Sequence, residues 1–298
     1  MSAVLQIKNI RKAYGAVVAL QDISLSIPSG SVYGILGPNG SGKTTLLGIL
    51  MSALRQQQGE YSWFDGQWGS AYRKQIGCLL ETPNFYQYLS GEENLRITVS
   101  ISGRGDEADI ERVLKLVSLY ERRKHRFGTY SLGMKQRLAI GAALLGNPRV
   151  LVLDEPTNGL DPVGIAEIRQ LIKDLHLAGH TILIASHLLD EVEKVCTHMA
   201  ILKKGVVLVD GPVAEVLMDE DVVELSCQNT DALQALLRAK GITTEIDSEL
   251  GLIRAHFPTG TARLDTLNQT CMEQGIVLTH LLLRRKKLET RFFELTNA

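Results

Sequence analysis

Eight consecutive residues restrict this chain more than any other feature: Gly37-Pro38-Asn39-Gly40-Ser41-Gly42-Lys43-Thr44. An apolar run, Val32-Tyr-Gly-Ile-Leu36, leads into them, and residues of helical character, Thr44 to Leu54, follow. A glycine-rich turn between a buried strand and a helix start, in the pattern G-x-x-x-x-G-K-[ST], forms a cradle for phosphate. The glycines let backbone N–H groups turn inward, and the helix contributes the positive end of its dipole. Lys43 supplies a cation for the β and γ oxygens, and the Thr44 hydroxyl offers Mg²⁺ a hard ligand, with Thr45 beside it in the same site. The alternative reading, a glycine turn that happens to precede a lysine, does not account for the strand and helix on either side.

The rest of the pattern fits an α/β sheet around that cradle. Val150-Leu-Val-Leu153 and Thr181-Ile-Leu-Ile-Ala185 are short unbroken apolar runs, as expected of parallel strands covered on both faces. Val4–Ile10 and Ile23–Ile27 alternate like half-buried strands. Residues 82–147 read mostly as helix, broken at Ser102-Gly-Arg-Gly105 and near Gly128. This predicts a doubly covered α/β domain over 1–221, with a helical insertion at about 84–146. Near Leu217–Asp221 the character changes, and 222–298 carries a βαββαβ-like alternation, a small α+β domain of its own. The chain's 298 residues are enough for both.

Val150-Leu-Val-Leu-Asp154-Glu155-Pro156 ends a buried strand in two carboxylates. Open α/β sheets bind ligands beyond such strand ends. Beside a phosphate cradle, Asp154 is placed for the Mg²⁺ shell and Glu155 for polarising an attacking water. Without the cradle, the same pair would read as a solvated strand cap.

With these residues in view, the chain resembles the nucleotide-binding subunit of an ABC transporter over about residues 4–220. Six elements occur in the family's order. Tyr130-Ser131-Leu132-Gly133-Met134-Lys135-Gln136-Arg137 resembles the signature, and Ser131 lies 23 residues (154 − 131) before Asp154. Gly159-Leu160-Asp161-Pro162 is similar to the D-loop, Ala185-Ser186-His187 to the switch histidine, and Tyr14 to the aromatic that stacks on adenine. Each has a bland counterpart: Tyr14 an ordinary strand aromatic, His187 a structural histidine, Ser131 with Gly133 a helix cap. Two departures stand out. Leu132 and Met134 replace a Gly and a Gln of the signature, and Glu81 occupies the place of the Gln that faces Mg²⁺. Both departures, and the tail from Leu288 to Thr296, resemble bacterial exporters of the bacitracin- and lantibiotic-resistance type.

The resemblance implies a P-loop NTPase fold of the ABC type: a RecA-like core, an antiparallel β subdomain and a helical subdomain. It implies ATP and Mg²⁺ as cofactors, with catalysis by Glu155, His187 and Lys43. Two copies would sandwich ATP, the signature of one facing the cradle of the other, and drive export through an integral-membrane permease. An importer subunit, or an ABC ATPase acting on nucleic acid or ribosomes, are the alternatives; the single cassette without a heptad stretch argues against the second.

Composition is consistent with this. A net charge of −1 does not point to nucleic acid as a partner. The four scattered cysteines form no metal or disulfide framework. No run of ~18 apolar residues is present, and Met1–Ile10 lacks a signal-peptide pattern. A cytoplasmic chain, peripheral at the membrane through its permease, is expected. The basic runs 122–126 and 284–287 read as solvated faces. The aromatic segment Asn84–Leu89 reads either as local core or as a groove wall for the permease, and 222–298 as an accessory, regulatory domain without a catalytic constellation.

Overall fold

The computed structural model describes residues 2–80, 83–217, 220–247, 251–258, 260–284 and 292. The chain divides into two compact units, Met1–Pro212 and Val213–Ala298. In the first unit, β1 (Ala3–Tyr14) and β2 (Val17–Pro28) pair antiparallel around Gly15, with Tyr14 opposite Val17. Both strands run further than the alternation of Val4–Ile10 and Ile23–Ile27 suggests. The pairing continues toward the hairpin through register shifts, where the polar/apolar period is lost. With β4 (Gln58–Trp63), they form a three-stranded antiparallel sheet of order β2-β1-β4.

Between β2 and β4 lie β3 (Val32–Leu36) and α1 (Lys43–Leu50), and β5 (Ile76–Leu79) follows β4. The helical segment contains α2 (Gly91–Ser102), α3 (Glu107–Leu116) and α4 (Leu132–Ala143). Ser90 and Glu93 form a reciprocal capping box at the start of α2, and Gly103, at φ 61°, ends that helix. Asp106 caps α3. The three helices contact one another pairwise, and Leu95, Val113, Leu114, Leu138 and Ile140 on them are buried.

After the helices come β6 (Val150–Asp154), α5 (Pro162–Leu177), β7 (Thr181–Ser186), α6 (Leu189–Val195), β8 (His198–Lys203) and β9 (Val206–Pro212). The main sheet has the order β5-β6-β7-β3-β8-β9; its strands are parallel except β9, which returns antiparallel to β8. Strands β3, β6 and β7 are buried at every residue, as their continuous apolar runs require. This sheet brings the C-terminal ends of β3, β6 and β7 side by side: Leu36 pairs with Ser186, and Asp154 with Ala185.

The second unit begins with α7 (Val213–Leu217) and continues as β10 (Glu220–Cys227), α8 (Thr230–Ala239), β11 (Thr243–Asp247), β12 (Leu252–Pro258), α9 (Leu264–Glu273) and β13 (Leu278–Arg284). Its four-stranded sheet has the order β11-β12-β10-β13 and is antiparallel throughout. Val223, Leu225, Ile253 and Ala255 pack with Leu233 and Leu237 of α8 and Leu267 and Cys271 of α9 in a separate core. The division falls after Pro212, where the pairing of β9 with β8 ends, nine residues before the expected boundary (221 − 212).

Candidate functional site

The loop between β3 and α1 has a shape that only glycine permits at two points. A Cβ on Gly37 would fall on the Ser41 side chain and the Leu202 carbonyl. Gly42 sits at φ 106°, where a Cβ would meet the Ala19 carbonyl oxygen at 2.6 Å. Gly42 caps α1 with no side-chain hydrogen bond, and the first turn carries no acidic residue. The helix therefore presents unsatisfied N–H groups and its dipole to the loop, which suits an anion.

Lys43 is buried, and its Nζ donates to the carbonyls of Gly37 (2.7 Å) and Pro38 (3.3 Å). Burial pushes its pKa below that of an ordinary lysine, an effect opposed by Glu155 and Asp154 nearby. Ser41 is buried too, and its Oγ has no hydrogen-bond partner among the described residues. Pro38, Asn39, Gly40 and Thr44 lie exposed at the lip, with Thr45 half-buried. Backbone N–H groups, an ammonium and an unpaired hydroxyl form a donor set for phosphate oxygens. Thr44 and Asp154 provide the hard oxygens that suit Mg²⁺. Among the described residues no group of three His, Cys, Asp or Glu gathers as a metal site.

At the end of β6, Asp154 is buried and Glu155 turns into the left-handed region at φ 49°. A glutamate held there is strained, a state that persists where the surroundings over-determine it. The surroundings do so here: the Glu155 N–H donates to the Ala185 carbonyl (2.9 Å), and its own carbonyl accepts from the Asn158 N–H (3.1 Å). The turn sets the carboxylate between two other segments. Its Oε2 is 2.8 Å from Nδ1 of His187, and its Oε1 is 3.8 Å from Nζ of Lys43. Three residues more than thirty positions apart in sequence thus meet at the strand ends.

The other anticipated residues are held locally. Ser131 caps α4 by accepting from the Met134 N–H (3.2 Å). Gly133 is at ordinary φ, with open space where a Cβ would stand. Asp161 caps α5 through the Gly164 N–H (2.8 Å), with Pro162 in the first turn. Among the described residues, the bonds these side chains make are the local caps, Ser131 to the Met134 N–H and Asp161 to the Gly164 N–H. Tyr14, at the end of β1, is 48% exposed and carries the Lys12 ammonium 5.1 Å from its ring centroid. Glu81, expected at the metal, lies outside the described residues.

The segment 84–89 is part core and part surface. Phe85 packs on Phe127 at 5.2 Å, whereas Tyr86 and Tyr88 are exposed. Sequence patterns gave no signal for Asn94, which is buried and anchors this loop. Its Oδ1 accepts from the Tyr86 N–H, and its Nδ2 donates to the carbonyls of Tyr86 and Ser90.

Comparison with known proteins places this geometry among relatives. The profile of the ABC transporter family matches residues 20–158. A bacitracin transport ATP-binding protein of Enterococcus faecalis is 32% identical over 99% of this chain and 97% of its own length. A lantibiotic transport ATP-binding protein of Streptococcus pyogenes is 37% identical over 69% of this chain and 90% of its own. Among solved structures, a dimeric ATP-binding cassette in a post-hydrolysis state, bound to ADP and Pi, superposes with a TM-score of 0.62 at 27% identity. The match covers 70% of this chain and 98% of that one.

Proposed function

This chain belongs to the ABC transporter family of ATP-binding ATPases, and from that premise we propose that it powers export through a separate integral-membrane permease, as a pair of copies that close on ATP. The observation that carries the proposal is the position of the Glu155 carboxylate, between Nδ1 of His187 and Nζ of Lys43 at the strand ends. Glu155 accepts the proton of the attacking water, and His187 orients that carboxylate and reports on the γ-phosphate. Lys43 exchanges its loop carbonyls for phosphate oxygens, and Tyr14 stacks on the adenine. Thr44 and Asp154 would hold Mg²⁺, which would supply positive charge beside the phosphates.

Ser131, Gly133 and Asp161 act across the pair, the α4 N-terminus of one copy facing the phosphates of the other. The closed state binds ATP more tightly than the open state, and that difference supplies the work passed to the permease. The dimeric relative with ADP and Pi supports this arrangement, and the bacitracin and lantibiotic transport relatives support export. No helix among the described residues is long and apolar enough to cross a membrane. Attachment to the cytoplasmic face is therefore assigned to the permease, with Tyr86 and Tyr88 forming part of the wall that receives it. The second unit, without a cradle of its own, takes an accessory role in pairing and coupling.

Glu155→Gln is the direct test. The amide keeps the shape but is a poor base, so ATP affinity is expected within a few-fold of the parent while hydrolysis falls by about 10²–10⁴. With ATP and Mg²⁺ the variant should elute as a dimer in sizing chromatography. Elution as monomer alone would overturn the sandwich arrangement.

A further inference from the structure

Helix α6 follows directly on His187 and has little of its own to hold it. It is seven residues long, too short to be stable in isolation, and its N-cap, Leu188, supplies no capping side chain. Its lower face rests on the cradle strand at Gly34, where a Cβ would come within 2.7 Å of Val192 Cγ1 and 3.1 Å of Cys196 Sγ. Toward α5 the packing is incomplete. A cavity of about 20 Å³, room for one water, lies there among Pro156, Ile172, Ile184 and Val192.

One side-chain pair in the wall of that cavity bridges the two helices. Arg169 of α5 donates Nε to Glu191 Oε2 (2.9 Å) and Nη2 to Oε1 (2.8 Å), a two-pronged fork. The side chains are 26% and 15% exposed, so solvent weakens the pair less than it would at the surface. Glu191 is in the first turn of α6, four residues after His187 (191 − 187), and Arg169 is on the helix that Asp161 caps.

We propose that Arg169 and Glu191 are positioning residues for ATP hydrolysis: their fork fixes the first turn of α6 against α5 and so keeps His187 on the Glu155 carboxylate. This rests on the reading of Glu155 and His187 given above. The nearby bond from the Leu188 N–H to Ser186 Oγ (3.0 Å) fixes the connecting turn at its other end. Loss of the fork leaves the backbone path intact but lets the histidine drift. Misplacement by about 1 Å can cost as much as 10²-fold in rate.

The test uses the full chain, with ATP affinity, KM, kcat and thermal midpoint measured for Arg169→Gln, Glu191→Gln and Arg169→Lys. Glu191 also has Lys194 at 3.7 Å, so Arg169→Gln does not leave it without a cation, and the variant should fold. Both Gln variants are expected to lower kcat about tenfold with KM and ATP affinity within twofold. Arg169→Lys, which keeps the charge but not the fork, should fall between them and the parent. The deciding measurement repeats Arg169→Gln in a His187→Ala background, where it should cost nothing further, because the residue it positions is gone. An unchanged kcat in the single variants overturns the proposal. So does an equal further loss in the His187→Ala background, which would make the fork a mere stabiliser of the fold. If the control Glu155→Gln hydrolyses ATP at the parental rate, the reading of the site fails and the proposal with it.

Discussion

Replacing Lys43 by Ala tests the cradle at its centre. In this structure the ammonium is buried, satisfied by the Gly37 and Pro38 carbonyls, and stands 3.8 Å from Glu155. The substitution removes one positive charge from a place that water screens poorly and leaves Glu155 beside Asp154 with no lysine between them and the loop. A hydrogen bond to a charged group contributes about 1.5–3 kcal/mol, and two phosphate oxygens within reach of one ammonium make that roughly 3–6 kcal/mol. At 1.4 kcal/mol per decade, ATP affinity should fall by about 10²–10⁴. The fold should survive, since the α1 residues Leu46, Leu47, Ile49 and Leu50 stay buried in the main core. Equilibrium titration with ATP and Mg²⁺, with the thermal midpoint followed without nucleotide, separates the two effects. Affinity within fivefold of the parent would refute the assignment of Lys43 to phosphate. A loss of affinity matched by general unfolding would refute the claim that the effect is local.

The same geometry yields further expectations. Gly42→Ala at φ 106°, with a Cβ pressed on the Ala19 carbonyl, should distort the cradle at a cost of about 1–3 kcal/mol and weaken ATP binding in the same titration. Because burial lowers the Lys43 pKa, the protonated, phosphate-binding form is lost as pH rises at lower pH than for an ordinary lysine. ATP affinity measured from pH 7 upward should therefore decline early, and should stay flat in Lys43→Ala. Ser131→Ala removes the α4 cap and should cost about 1 kcal/mol in chemical denaturation, with a separate loss of turnover. A chain ending at Pro212 keeps the main sheet and its core, and should fold and bind ATP with altered pairing or permease stimulation; loss of nucleotide binding in a folded protein would count against an accessory role for the second unit.

The parts of the site legible in the sequence were those written in adjacent residues. The cradle is one octapeptide between a strand and a helix, and Asp154-Glu155 end an unbroken apolar run, so position along the chain already implied position at a strand end. What the sequence withheld depends on residues far apart or on backbone angle. The φ of 49° that aims Glu155 at His187 has no pattern of its own, because it is set by the Ala185 carbonyl on a neighbouring strand. The Arg169–Glu191 fork joins two ordinary polar positions on helices that nothing in the sequence places in contact, and Asn94 anchors the 84–89 loop from inside a helix. Ser131 and Asp161 show the opposite limit. Their sequence context reads equally as helix cap and as phosphate contact, and in one chain the structure contains only the cap: each is satisfied by the N–H three residues on. Gly133 adds an open approach that the fold itself does not use. A single chain thus gives Ser131 and Asp161 local work alone and leaves the approach at Gly133 open, while the cradle already has its own lysine and helix N-terminus. That asymmetry is the physical content of the proposal that a second copy completes the site, and it is why the test of pairing is made with ATP bound.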